Sequence, residues 1–207
     1  MPKLALPLAI LTLLLACLCC PLTWLAEDAP ILPTLSPILP QPTATHDLSI
    51  PNATIEWYDI QGSTSAELRQ QVDTYGPVDD NGERWEAMTY WEISWNWPGY
   101  GSADCNLSQA TVSYENTVIL PRWNPPPEAA PQLIERWNAY LPALARHEQN
   151  HVEIVLAHYQ EVLSAIQSAD CLTADSAARA AFEEIRRLQN EYDDASQHGA
   201  NEGIYFP

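Results

Sequence analysis

The feature that most constrains this chain is His147-Glu148-Gln149-Asn150-His151, an H-E-x-x-H sequence inside a segment with helical periodicity. Residues four apart lie on one face of an α-helix, so both imidazoles can reach a single metal ion. Glu148 projects about 100° around the helix from His147, close to the position of a metal-bound water. The pattern predicts a zinc site with Glu148 as general base. The alternative is an amphipathic helix that carries two histidines by chance.

The N-terminal segment predicts export. Residues 1–16 combine one cation, Lys3, with an apolar run too short to span a bilayer. The run ends in small residues before Cys17, which resembles a bacterial lipoprotein signal with cleavage before Cys17 and lipid on its thiol. The alternatives are a plain secretory signal or an uncleaved anchor. No role is assigned to Cys19 or Cys20.

Residues 17–51 predict an anchor cysteine followed by a spacer. From Pro21 to Pro51 inclusive there are seven prolines, among threonine, serine and alanine, and the segment has no apolar period. Such a composition favours an extended, partly polyproline chain that holds a domain away from the membrane. His46 falls in this spacer and is predicted to be idle. The folded domain is therefore predicted over residues 52–207.

Two cysteines, Cys105 and Cys171, lie in the body of the chain. In an exported protein an even pair predicts a disulfide rather than a metal site. Closing a loop of this length contributes on the order of 4 kcal/mol in the chain-entropy model. Two free buried thiols are the alternative.

The charge balance argues against nucleic acid as a partner. Loss of the predicted signal removes the only lysine, which leaves eight arginines against 27 acidic residues, a formal charge of −19. Such a surface repels phosphate backbones and anionic lipid headgroups. The predicted contact with the membrane is therefore limited to the N-terminal lipid.

The first half of the predicted domain contains strand patterns. Alternation predicts a strand over residues 55–60. Leu68 and Val72, four residues apart, predict a helix over 63–75 capped by Ser65, and the Asp79–Gly82 sequence predicts a turn over 78–84. An aromatic-rich strand follows over residues 85–97, and a strand or hairpin over 105–120 ends at Pro121. The tryptophans are predicted to be core residues rather than a carbohydrate platform.

The period then becomes helical. Helices are predicted over residues 128–140, 142–169 and 173–194, with Pro142 at a boundary or kink and an irregular segment over 195–207. Strands followed by helices predict an α+β domain, with a small, mostly antiparallel sheet followed by helices that carry the H-E-x-x-H site.

A catalytic zinc needs a third protein ligand. His158 lies about 10 Å beyond His151 along an unbroken helix, too far to share an ion, and is predicted to pack or to support the site. His198 is the candidate, because Gly199 frees the turn that aims it. Glu191 is the rival, as a helical glutamate after the motif.

With these residues in view, the chain resembles the bacterial domain-of-unknown-function family 922, whose members are predicted to be secreted zinc-dependent proteases. The resemblance covers roughly residues 55–207. It rests on residues 58–62, 93–95, 120–123, 147–151 and 192–199, with Gly203 and the final Phe206-Pro207.

These observations lead to the expectation of a lipid-anchored or secreted extracytoplasmic zinc metallopeptidase. Zn²⁺ on His147, His151 and His198 would activate water that Glu148 deprotonates. Additional roles are expected for three neighbours: Tyr192 as a partner for the oxyanion, and Asp193 and Asp194 to orient a ligand histidine.

The expected partner is a peptide or protein, including peptidoglycan peptides. Two other classes stay open. One is a non-catalytic, zinc-stabilised binding or envelope-structural lipoprotein, and the other is a glycan-binding surface module.

Overall fold

The computed structural model describes residues 47–207. The predicted signal peptide, the lipidation of Cys17, most of the spacer, Cys19, Cys20 and His46 lie outside these residues and stay predictions. The elements are β1 (Thr54–Ile60), α1 (Ser65–Tyr75), β2 (Met88–Asn96), β3 (Thr111–Trp123), α2 (Pro131–Gln167) and α3 (Ala174–Ser196), with 3₁₀ turns at Leu107–Gln109 and Ala200–Glu202. The predicted α+β class is confirmed. Within this part of the chain, no helix combines the length and apolarity needed to cross a membrane.

The three strands form a mixed sheet in the order β1-β3-β2. β1 runs parallel to β3 and β2 runs antiparallel to it. The expectation of a mostly antiparallel sheet is therefore wrong. Parallel neighbours need a long crossover connection, and the chain between β1 and β3 provides one by passing through α1 and β2. Side-chain alternation reports which face of a strand is buried, but not its direction.

The central strand β3 continues through Pro121 to Trp123, so the prediction that Pro121 ends it is wrong. Pro121 lies opposite Tyr58 of β1. It falls beyond the last pair with β2, in which Met88 lies opposite Ile119. Proline is tolerated where one edge of a strand has no partner, because the missing N–H then removes no ladder bond.

Helix α1 begins one residue after Thr64, whose side chain accepts from the backbone N–H of Glu67. The Glu67 carboxylate in turn accepts from the backbone N–H of Thr64 at 3.1 Å, which completes a capping box. The predicted cap, Ser65, is instead the first helical residue.

Helix α2 is one continuous helix of 37 residues, about 55 Å long, so the predicted break at Pro142 is wrong. A proline inside a helix costs about 3 kcal/mol. The residues around it are buried: Trp137, Tyr140, Leu141 and Leu144 are each at most 5% exposed. Burial of one such side chain contributes about 1.5–3 kcal/mol, so this packing outweighs the proline.

Two clusters of buried side chains form the core. The first joins the sheet and α1 to α2 as far as Val152. The second begins on α2 at Val155 and joins its C-terminal half to α3 and β2. The H-E-x-x-H segment lies where the two clusters meet, so both clusters hold that part of the helix in place.

The disulfide predicted between Cys105 and Cys171 is present. It joins the segment before β3 to the turn between α2 and α3, across 66 residues of chain. The bond therefore ties the end of the second core cluster to the sheet.

Replacing both cysteines by alanine should lower the free energy of unfolding by about 2–5 kcal/mol, because the unfolded chain loses a constraint. Equilibrium urea denaturation measures the change. A reducing agent should destabilise the parent by a similar amount and leave the double variant unaffected. Equal stability of the two proteins would contradict a stabilising role for the bond.

Candidate metal centre

Helix α2 directs His147, Glu148 and His151 into the protein. Their exposed fractions are 5%, 4% and 8%, unusually low for ionisable side chains. The two imidazole rings lie 5.0 Å apart, centre to centre. This face of the helix therefore buries three titratable groups, which need partners from other elements.

Asp193 of α3 is the first of these partners. Its Oδ1 atom lies 3.3 Å from Nε2 of His147 and 3.0 Å from Nε2 of His151. Two ligands bound at about 2.05 Å to a tetrahedral ion lie about 3.3 Å apart. Among the described residues, these three form the one group whose donor atoms all lie within 4.8 Å of one another. The donor set and its spacing fit a small divalent cation.

The second nitrogen of each imidazole, Nδ1, contacts residues outside the group of three. Nδ1 of His147 lies 2.9 Å from Oε2 of Glu202 and 3.0 Å from the hydroxyl of Tyr192. Nδ1 of His151 lies 2.6 Å from Oε1 of Gln189. An Nδ1–H that donates to such acceptors leaves the lone pair on Nε2, the atom that faces Asp193.

Glu148 receives a hydrogen bond from the sheet. The hydroxyl of Thr89, on β2, donates to Oε2 of Glu148 at 2.7 Å. Burial raises the pKa of Glu148, and this effect exceeds the opposing influence of His151 and of the Thr89 hydrogen bond. A carboxylate with a raised pKa beside candidate metal ligands is suited to accept and release a proton.

The electrostatics of the centre link the imidazoles to the carboxylates. Burial alone would lower the pKa of His147 and of His151, but the hydrogen bonds and charge of Asp193 and the charge of Glu148 outweigh it and raise both. Burial opposes ionisation of Asp193 too, yet its contacts with the two imidazoles hold its pKa well below the ordinary range. The pKa of Glu202 is lowered as well, since its hydrogen bonds from Tyr192 and His147 outweigh desolvation.

His198, the predicted third ligand, lies beside this group but outside it. Its Nδ1 is 3.7 Å from Oδ1 of Asp193, and its side chain is 53% exposed. The ring packs against Trp85 with centroids 4.7 Å apart. A turn with positive φ at Gln197, His198 and Gly199 ends α3. Metal ligation by His198 stays a prediction.

Gly199 is favoured by its φ of 84°, a left-handed conformation that residues with a Cβ rarely adopt. A Cβ at this position would lie 2.3 Å from Cδ1 of Ile204. A side chain at residue 199 would therefore require Ile204 to move, within the C-terminal segment that brings Glu202 to His147.

The other predicted residues take separate positions. Glu191 is exposed and pairs with Arg187 on the outer face of α3, and Asp194 is also exposed. His158 pairs with Glu161 at 2.8 Å, away from the group of three.

The hydroxyl of Tyr192 lies 3.0 Å from Nδ1 of His147, so its geometry favours support of that ring over contact with an oxyanion.

Sequence reasoning gave Asp193 an outer role and did not foresee the contacts of Thr89, Gln189 and Glu202. A signal existed for part of this set. Gln189 and Asp193 lie four residues apart, on one face of a predicted helix, so a shared neighbour on α2 was foreseeable. Thr89 and Glu202 are distant in sequence and carry no such pattern.

The fold and the site together define a small α+β domain in which two buried histidines face one half-buried carboxylate. A family model described as bacterial protein of unknown function (DUF922) matches residues 55–199, and the chain belongs to that family. The predicted membership is confirmed, and the family description itself states no activity. No curated protein and no solved structure matches the chain.

In the presence of a chelator, stability should depend on pH through the two histidines. The pKa values of both histidines are raised above the ordinary value of about 6.5. Their contribution to the free energy of unfolding is therefore complete below that pH and is lost as the pH rises through their pKa values in the folded state. Asp193→Asn should remove much of this contribution.

Urea denaturation from about pH 5.5 to about pH 9 should therefore show the stability difference between parent and Asp193→Asn shrinking as the pH rises. Glu191→Ala, at an exposed site on the same helix, is the control. A difference that grows with pH would show that Asp193 does not stabilise the protonated imidazoles.

Proposed function

We propose that this protein is a zinc-dependent peptidase that acts outside the cytoplasm. The observation that carries the proposal is the convergence of both imidazole Nε2 atoms on the carboxylate of Asp193, beside the buried carboxylate of Glu148. Two imidazoles and one carboxylate with an adjacent general base are the parts of a hydrolytic zinc site.

His147, His151 and Asp193 would hold the metal. We place Asp193 in the third position, ahead of His198, because its Oδ1 already lies 3.0–3.3 Å from both Nε2 atoms. Zn²⁺ bound there would supply Lewis-acid polarisation of a carbonyl group and acidify a neighbouring water molecule.

The protein groups have distinct tasks. Glu148 takes the proton of the attacking water and delivers it to the leaving amine, as its raised pKa permits. Glu202 and Gln189 fix the ring orientation of the two histidines through Nδ1. Tyr192 holds Glu202 through a hydrogen bond of 2.8 Å to its Oε1.

An extracytoplasmic location is supported by the disulfide, since such bonds persist in oxidising compartments. A lipid anchor on Cys17 is part of the proposal and would hold the domain at the bacterial membrane. The proposed substrates are peptides or proteins, including the peptide stems of peptidoglycan. The acidic composition argues against nucleic acid.

The glycan-binding alternative draws little support from the tryptophans. Trp97, Trp123 and Trp137 are at most 3% exposed. Trp91 and Trp95 pack against Phe182, and none of the tryptophans in residues 47–207 is exposed. A flat aromatic platform for sugars needs exposed rings.

The first test is zinc content per chain of the purified protein and three variants. We expect about one zinc in the parent and in Glu191→Ala, and a loss of affinity of at least about tenfold in Asp193→Asn. If His198→Ala weakens zinc binding as much as Asp193→Asn does, His198 is a further ligand. If His198→Ala weakens zinc binding and Asp193→Asn does not, His198 is the third ligand in place of Asp193. A parent that stays free of zinc after reconstitution would contradict the metal site.

The second test separates the peptidase from a zinc-stabilised binding protein. Glu148→Gln should retain zinc but lower the hydrolysis of an unstructured protein substrate by about 10²–10⁴-fold, the usual contribution of general acid–base catalysis. The exposed pair on Arg187 offers a control, because Glu191→Gln should change neither property. Unchanged function in Glu148→Gln would favour the non-catalytic class.

A further inference from the structure

The hydroxyl of Thr89 contacts the one buried carboxylate that the proposed chemistry uses as a base. It lies 2.7 Å from Oε2 of Glu148 and 3.2 Å from the backbone carbonyl oxygen of the same residue. We infer that Thr89 is a positioning residue that fixes the orientation of the Glu148 carboxylate. The inference rests on the proposed function, since it assigns Thr89 a part in the proton transfer of that site.

The position of the hydroxyl is set by the sheet and is independent of the helix that carries Glu148. Thr89 is the second residue of β2 and pairs with Val118 of β3, which is fully buried. A β-branched side chain in a strand has few accessible χ1 rotamers. The Thr89 hydroxyl is therefore a fixed point to which the flexible glutamate side chain is tied.

The contact distinguishes the two oxygens of the carboxylate. A hydroxyl has one proton, and Thr89 donates it at the shorter distance, to Oε2. Within residues 47–207, the side-chain hydrogen bond to the Glu148 carboxylate is made at Oε2, by Thr89. Oε1 is therefore the oxygen available to accept a proton from water, and Oε2 is the oxygen that the sheet retains.

Loss of the hydroxyl would release this constraint. The terminal torsion of a glutamate has a broad energy profile, so an untethered carboxylate rotates and samples unproductive orientations. Substrate binding and metal ligation would not change, because Thr89 contacts neither Nε2 atom of the histidines nor Asp193 within the described contacts. The expected signature is a lower kcat at constant KM and constant zinc affinity.

Three variants test the inference. Thr89→Val keeps the β-branched shape and removes the hydroxyl, whereas Thr89→Ser keeps the hydroxyl. Thr117→Val is the matched control, because Thr117 is adjacent to Val118 on β3 and so lies on the opposite face of the sheet. The kcat of Thr89→Val should fall about tenfold or more with KM within about twofold, while Thr89→Ser and Thr117→Val stay close to the parent.

A second measurement reports on the contact without turnover. In chelator, Thr89→Val should lower the urea midpoint of the parent, because it leaves a buried carboxylate oxygen without a donor. In a Glu148→Met background the same change should have little effect. This double-mutant cycle detects the coupling of the two side chains directly.

The outcomes separate the inference from the proposed function. If the parent hydrolyses peptides and Thr89→Val does so equally well, the role of Thr89 is overturned and the peptidase stands. The role of Thr89 is also overturned if kcat falls equally in Thr89→Val and Thr117→Val, or if the double-mutant cycle shows no coupling between Thr89 and Glu148. A zinc-loaded parent without turnover overturns both.

Discussion

The packing of α3 against α2 places one carboxylate, Asp193, between two buried imidazoles, and the chemistry of the centre follows from that contact. Two more carboxylates, Glu148 and Glu202, lie on the same histidines or next to them. Glu148 is buried and Asp193 is half-buried, and ionised carboxylates in such surroundings require compensating positive charge. Two protons on the imidazoles supply +2, and so does a divalent cation. Under the proposed function, exchange of the two protons for a divalent cation would leave the net charge of the centre unchanged, so metal binding would compete with protonation of the histidines.

Sequence patterns correctly predicted the features that depend on helical spacing or on residue counts, such as the helical H-E-x-x-H segment and the disulfide. The H-E-x-x-H spacing requires only helical geometry, and the disulfide followed from the parity of the two body cysteines. The direction of β1 relative to β3 was not foreseeable, because alternation is the same in parallel and antiparallel strands. The predicted helix break at Pro142 failed for a related reason. The proline destabilises the helix locally, but burial of the neighbouring side chains outweighs that effect, so the helix continues.

The supporting residues were hidden by their separation in sequence. Thr89 precedes Glu148 by 59 residues, and Glu202 follows His147 by 55. Glu202 also depends on the packing of the residues after it. Phe206 packs against Tyr140 and beneath the guanidinium of Arg69, so the first core cluster fixes the segment that carries this carboxylate. No periodicity in a sequence records contacts of this kind, which arise only when the clusters assemble.

The centre thus draws on three independent elements around one rigid helix. Helix α3 supplies Asp193 and Gln189, strand β2 supplies Thr89, and the C-terminal turn supplies Glu202. The contacts divide by residue: Asp193 faces the Nε2 atoms, Gln189 and Glu202 each contact one Nδ1 atom, and Thr89 contacts Oε2 of Glu148. Under the proposed function, substitution of one of these residues should therefore alter mainly one property, whether ligand geometry, imidazole orientation or proton transfer. Because Glu148 lies between its two histidines on the same helix, its register with them is fixed by α2 itself, and only the orientation of its carboxylate is left for the sheet to determine.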